Sequence, residues 1–514
     1  MKRIFLLLSI SFLFVRCDWV NGLFNKNDQK LIETKMPVSV KFKKELLFTE
    51  SFLVKQFYNQ NNYKTIWFDQ KNRIDFIYQI ISLRKEGIVF DKTDVSSMFF
   101  GNLHYDKLTF NERISVDFVY TNNFLVVIKN LINGKINPNK YYSDWVLPQK
   151  KIDLNQILIE ATSNNKVDEL IIKQIPNNDY YNGLKEAIVF FENLPKDTLV
   201  NIKSSDIADI KKKLNYFQDS NFADFNDIWD DEAKEALQKF QSRHGLIPTG
   251  KINEVTLGQL NISKDKRLKQ LYVNLERARW FYNDLGENYV LVNLPECKLF
   301  LYENKMLIDS HDVIIGKNER RTPVLSSTFS NLVINPTWTV PPTILKNDLV
   351  PNASVNRSYF ASHRMTIFDK KGKVVDPSDW NPSEYKKYRY VQKSGANNAL
   401  GLIKFDFPNA HSVYLHDTNN KLLFGREKRD LSSGCVRVKD PFSLATRILE
   451  IEGSSYDRMQ LDTLVAHEKT KVIPLKNKVN VHQLYWTAWK NDQGVQFRND
   501  IYSLDEDLYK KLTN

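Results

Sequence analysis

The chain has 514 residues, too many for one compact core and enough for two to four domains. Its 42% hydrophobic and 12% aromatic content supplies ample material for buried cores and excludes a disordered protein. The formal net charge of +12 favours anionic partners, but the basic residues form no long run and no zinc-finger, basic-region or RNA-binding signature accompanies them, so nucleic acid is not expected.

Residues 1–17 point to a compartment. Lys2 and Arg3 precede an apolar run from Ile4 to Val15, which ends at Arg16-Cys17. This is the plan of an export signal, and the run is short for a membrane span. The expected location is therefore the periplasm or cell envelope. Cys17 stands where a bacterial lipoprotein carries its lipid, although Phe14-Val15-Arg16 lacks the small residue expected before the cysteine. A short uncleaved anchor and a soluble exported form remain beside that reading. After Cys17 only Cys297 and Cys435 remain, which is not a disulfide scaffold. Cys297 precedes a strand and reads as a small packing residue.

Residues 18–205 read as a helical scaffold. Apolar residues recur at helical spacing in Phe76-Ile77-Ile80-Ile81-Leu83 and from Phe118 to Ile132, with Asn133-Gly134 as a stop. Residues 206–262 form a separate unit. One stripe is Ile207, Ile210, Leu214 and Phe217. A second is Ala233, Ala236, Leu237 and Phe240, opened by Asp231 and closed by Gly245, and Asn253 caps a short third helix. The runs Glu235-Ala236-Leu237-Gln238-Lys239-Phe240-Gln241, Gly245-Leu246-Ile247-Pro248-Thr249-Gly250 and Thr256-Leu257 resemble the three-helix peptidoglycan-binding domain. Residues 263–286 return to scaffold helix, so the unit is inserted.

From residue 287 the period changes to two. Tyr289–Leu294, Lys298–Tyr302, Met306–Ile308 and His311–Ile315 read as successive strands of an antiparallel sandwich or barrel-like sheet. Pro336, Pro341 and Pro342 forbid a helix or a central strand, so residues 335–343 read as an extended wall. Trp338 within it is either core or the side of a cleft. Residues 344–393 interrupt the sheet with weak periodicity, as a lid or capping insertion does. The catalytic region runs over 287–490, and 491–514 is a C-terminal extension. The fold class is thus multi-domain α+β: helical scaffold, three-helix binding unit and β-rich domain.

Residues 411–437 carry the chemistry. His411-Ser412-Val413-Tyr414-Leu415 alternates as a short strand delivering His416 at its end. Cys435 lies between Gly434 and Arg437, ahead of Asp440-Pro441, a helix start with Asp440 as N-cap. A thiol with a histidine on the preceding element is the plan of a Cys–His nucleophilic site. Cys435 is then the nucleophile and His416 the base and later acid. A backbone carbonyl such as that of Asp417 suffices to fix the imidazole tautomer. Gly434 presents its N–H, with that of Cys435, to a developing oxyanion. Arg437 either holds a substrate carboxylate or locks the loop. A zinc site from His411, His416, Cys435 and His363 is the rival chemistry, but no HExxH or close CxxC pattern supports it. No metal and no cofactor is expected.

His416, fifteen residues, then Ser432-Ser433-Gly434-Cys435-Val436-Arg437 resembles the signature of the bacterial L,D-transpeptidases. So do Gly316-Lys317, Thr322-Pro323, Asn335-Pro336-x-Trp338-x-Val340-Pro341-Pro342, Asn398-Ala399-Leu400-Gly401, Phe407-Pro408-Asn409 and Leu415-His416-Asp417-Thr418. With the scaffold, inserted unit and cap, the chain resembles the large periplasmic subgroup. Ser433 departs from the histidine found in many members. The resemblance implies acyl transfer on peptidoglycan stem peptides: Cys435 attacks a tetrapeptide donor, D-alanine leaves, and a side-chain amine of a neighbouring stem completes a 3→3 cross-link. It implies acylation of Cys435 by carbapenems, and Trp338, Tyr414, Ser432 and Ser433 beside the substrate. The alternatives are an L,D-carboxypeptidase, attachment of a protein to the wall, and a non-catalytic peptidoglycan-binding protein. The partners implied are stem peptides and glycan, and a membrane where Cys17 is lipidated.

Overall fold

The computed structural model describes residues 39–147, 150–281, 285–476 and 478–513. The export signal at residues 1–17, with Cys17, lies outside them. In the scaffold, helices Phe52–Gln60, Gln70–Leu83, Lys92–Leu103, Phe110–Asn133, Leu154–Ser163 and Val167–Gln174 surround a core holding Trp67, Phe76, Tyr120 and Phe124. The longest starts at a capping box: the Thr109 hydroxyl accepts from the Glu112 N–H (3.4 Å) and the Glu112 carboxylate accepts from the Thr109 N–H (2.8 Å). It ends at Asn133, where the sequence places its stop.

The three-helix unit comprises Ile207–Tyr216, Asp231–Arg243 and Glu254–Leu260. Its second helix opens at Asp231 and is capped by Asp230, whose carboxylate accepts from the Ala233 N–H (2.8 Å). The unit does not swing free. Phe240 and Leu237 share one core with Leu271 and Leu275 of the helix Lys264–Trp280 and with Phe497 of the C-terminal hairpin. Buried Arg243 chelates buried Asp219 (2.6 and 2.5 Å) and donates to the Val495 carbonyl.

The β-rich region is built on one large mixed sheet. Its order runs Trp145–Val146, Val324–Thr328, Asn480–Leu484, Tyr289–Asn293, Lys298–Glu303, Met306–Gly316, Val436–Val438, Leu415–His416, Ile403–Asp406, Asn331–Ile334, Lys471–Pro474. The helical region therefore lends the sheet an edge strand, Trp145 pairing with Val324. Residues 491–513 are equally part of the body. Ala488–Asn491 and Gly494–Phe497 form a hairpin, and Tyr502, Leu504 and Leu508 enter the core of the sheet.

Four local expectations give way to tertiary structure. The strand before the histidine is only Leu415–His416, because Ser412 has φ +55° and turns the chain. Asp440 has φ +51° and makes no side-chain capping bond, so Pro441 opens the helix Pro441–Glu452 unaided. The wall of residues 335–343 is not wholly extended: Trp338–Thr339 is an edge strand, and Pro342 starts a helical turn where its missing N–H costs nothing. Residues 344–393 are not weakly organised. They form a compact cap around Phe360, Trp380 and Tyr390, with the Trp380 indole donating to the Tyr390 hydroxyl (2.7 Å).

Arg243→Ala would leave Asp219 buried without its counter-charge, at a cost of about 3–5 kcal/mol. The expected result is a lowered urea midpoint, measured by far-ultraviolet circular dichroism.

Candidate active site

Two short strands bring the candidate residues together. Leu415–His416 pairs in parallel with Val436–Val438, Leu415 opposite Val436 and His416 opposite Arg437. Leu415 and Val436 are fully buried in the sheet core. Alternation then sends Tyr414, His416, Cys435 and Arg437 to the opposite face together. The Val436 N–H donates to the Tyr414 carbonyl (3.2 Å), which holds Cys435 level with Tyr414.

The imidazole of His416 is fixed by backbone. Its Nδ1 bonds the carbonyl of Asp417, and the Leu400 carbonyl is a second neighbour. The Asp417 side chain works on the frame: its carboxylate accepts from the Leu402 N–H (3.0 Å) and is 3.7 Å from the Lys421 ammonium. Gly401 is required at this contact, because a Cβ there would run into the Asp417 carboxylate. Burial, and then the Arg437 charge, push His416 from 6.5 down to about 3, so its resting ring is neutral.

Cys435 is partly buried and free, and Cys297 is a free thiol in the sheet core. The polar neighbours of the Cys435 sulfur are the N–H and hydroxyl of Tyr414. Burial pushes the thiol up from its ordinary value, and Tyr414, Lys404 and Arg437 only partly offset this. The resting pair is therefore neutral thiol and neutral imidazole. The Tyr414 hydroxyl also bonds the side chain of Trp338, and the Tyr414 and His416 rings meet edge-on at 5.7 Å. Trp338 thus touches the cleft from the cap's own sheet, where it pairs with Gln392.

The loop ahead of Cys435 uses its polar groups internally. The Ser432 hydroxyl donates to the Cys435 carbonyl (2.6 Å) and accepts from the Gly434 N–H (3.1 Å). The Gly434 amide expected at the oxyanion is consequently engaged, and the buried Ser432 hydroxyl braces the loop. The Cys435 N–H has no partner among the described residues and is left for that role. Gly434 is needed for its φ of +116°. Ser433 is exposed and accepts from Arg320 (2.9 Å). Arg437 is largely buried, and its Nε has no partner among the described residues. His411 and His363 do not join the cluster: His363 stacks on Tyr359 within the cap.

Two residues escaped the sequence reading. Lys404 lies directly opposite His416 on the neighbouring strand, 4.6 Å from the Tyr414 ring centre and paired with Asp406 (2.8 Å). The alternation of buried Ile403 and Phe405 was the available signal. Arg320 donates to Asp348 of the cap (2.6 and 3.1 Å) as well as to Ser433, tying cap to nucleophile loop. Nothing in its local sequence marks it.

Residues 287–473 match the family model described as "L,D-transpeptidase catalytic domain", residues 52–188 a "Scaffold domain", and residues 203–260 a "Putative peptidoglycan binding domain". A "Putative L,D-transpeptidase" of Haemophilus influenzae is 34% identical over 301 residues. The match spans 58% of this chain and 58% of that relative's length. Among solved structures, an L,D-transpeptidase from Stackebrandtia nassauensis aligns at 13% identity over 55% of this chain and 92% of its own, with a TM-score of 0.21. The Ldtfm–avibactam carbamoyl enzyme aligns at 11% identity over 39% and 49%, with a TM-score of 0.20. Neither superposition carries weight at such scores.

Since the Lys404 charge lowers the Cys435 thiol, Lys404→Met is expected to raise it and to slow alkylation at a fixed pH below the thiol's own value. Iodoacetamide rates measured across pH, with intact-mass detection, check the direction: reactivity rises with pH in both proteins, later in the variant.

Proposed function

We propose that the chain, with residues 287–473 matching an L,D-transpeptidase catalytic domain behind scaffold and peptidoglycan-binding matches, forms 3→3 peptidoglycan cross-links through a Cys435 thioester. The observation that carries the reading is the shared face of Tyr414, His416 and Cys435, with a neutral His416 held by the Asp417 carbonyl. A neutral imidazole on the same face as a protonated thiol can take the proton as the sulfur attacks.

The donor is a tetrapeptide stem. Cys435 Sγ attacks the carbonyl between its third residue, a diamino acid, and the terminal D-alanine. His416 receives the thiol proton, and the oxyanion meets the Cys435 N–H. The carbon–nitrogen bond breaks, His416 returns the proton to the leaving amine, and D-alanine departs. The side-chain amine of a neighbouring stem then attacks the thioester and loses a proton to His416. The new amide forms and the thiol is restored. Arg437, Trp338 and Tyr414 border the space this donor would fill. The chain would work in the cell envelope. Among the described residues no helix is long and apolar enough to cross a membrane, and mass spectrometry of the mature N-terminus tests lipidation of Cys17.

Purified protein given tetrapeptide muropeptides should release D-alanine and yield 3→3 dimers by liquid chromatography and mass spectrometry. Cys435→Ala should yield none. Dimers formed at an unchanged rate by that variant would overturn the assignment, and tripeptide monomers alone from the wild type would make it a carboxypeptidase. A carbapenem should add its mass to Cys435, located by peptide mapping.

A further inference from the structure

A cavity of about 970 Å³ lies apart from the nucleophile cleft, where the parts of the chain meet. Tyr180 comes to it from the scaffold, Ser242 from the three-helix unit, Tyr302 from the sheet and Trp489 from the C-terminal hairpin. Its floor is aromatic. Tyr180 stacks on Trp486 at 3.9 Å, Tyr289 stacks on Tyr302 at 4.5 Å, and Phe300 lies beside them. Its rim is polar and exposed, with Ser242, Lys305, Asn491 and Gln493.

Two further observations narrow what such a cavity takes. The Trp486 indole N–H is buried and has no partner among the described residues, an arrangement that native proteins rarely leave unanswered. Arg498 pairs with Glu296 (3.0 Å) and covers the Trp489 ring, and Lys490 pairs with Glu186, which leaves Lys305 and Asp179, of opposite sign, as the lining charges outside an ion pair among the described residues. A stem peptide carries several ionised groups and would need counter-charges of its own. A neutral saccharide would not. Its apolar ring faces pack on aromatic side chains, and its hydroxyl and acetamido groups pair with amides and the indole N–H. The volume falls within the range of ordinary ligand sites. The cavity is also continuous with the unit matched at residues 203–260, since Arg498 donates to the Arg243 carbonyl (3.0 Å).

We propose that this cavity binds a short run of uncharged N-acetylated amino sugar, the glycan of the wall. The proposed function supplies the identity of the polymer; the recognition chemistry stands without it. Glycan held here would bind this body at the junction of scaffold, three-helix unit and sheet, independently of the thiol chemistry.

The test titrates the full chain with chitotetraose, the β-1,4-linked tetramer of N-acetylglucosamine, by calorimetry and tryptophan fluorescence. Saturable binding is expected, weakened about tenfold or more by Trp489→Ala and by Gln493→Ala. Gln493 is exposed and its side chain makes no hydrogen bond among the described residues, so its truncation leaves folding intact. Unchanged near-ultraviolet circular dichroism checks this for both variants. Cys435→Ala should bind as the wild type does, so binding without cross-linking would fell the transpeptidase reading and keep this one. No binding by the wild type, equal binding by both cavity variants, or displacement of the sugar by a free stem tripeptide would overturn the proposal.

Discussion

The parallel register of Leu415–His416 against Val436–Val438 is the constraint on which the candidate site depends. A shift of one residue would turn one strand over against the other, sending either Tyr414 and His416 or Cys435 into the core and Leu415 or Val436 into the cleft. The shift is opposed by apolar burial. Leu415 and Val436 are fully buried, and each contributes about 1.5–3 kcal/mol by leaving water. The packing of two aliphatic side chains thus fixes the position of the polar ones.

Around that register the site is braced mostly by backbone. His416 takes its orientation from the Asp417 carbonyl, and the Asp417 carboxylate is spent on the Leu402 N–H. Ser432 closes the nucleophile loop on itself. With no carboxylate bonded to the imidazole, and with Lys404 and Arg437 nearby, protonated imidazole is disfavoured and the thiol stays protonated at rest. The resting site therefore holds no standing thiolate–imidazolium ion pair. Arg320 connects this arrangement to the cap through Asp348, and Trp338 reaches Tyr414 from the cap's sheet. Two polar contacts therefore join the cap to the Cys435 loop and to Tyr414.

The larger assembly follows the same logic of shared burial. The scaffold gives the sheet an edge strand, and the three-helix unit shares a core with the C-terminal hairpin. Arg243 and Asp219 satisfy each other inside that junction. A three-helix unit joined this firmly keeps one fixed position on the body. The aromatic cavity lies on the same seam.

Local sequence determined the helical scaffold, the three-helix unit and the change to period two at residue 287, because each is written in the spacing of apolar residues. It also singled out His416 and Cys435, whose neighbours form a compact motif. It did not determine Lys404, which faces His416 only through strand pairing, or Arg320, which meets Ser433 from 113 residues away in the chain. It placed the oxyanion role on the N–H groups of Gly434 and Cys435, and folding gave the first of these to Ser432. It read residues 344–393 as loosely patterned, yet Phe360, Trp380 and Tyr390 close a core of their own. Periodicity records which face of an element is buried. Which groups then meet, and which hydrogen bonds are already taken, is decided by register and by contacts between distant segments, and these exist only in the folded chain.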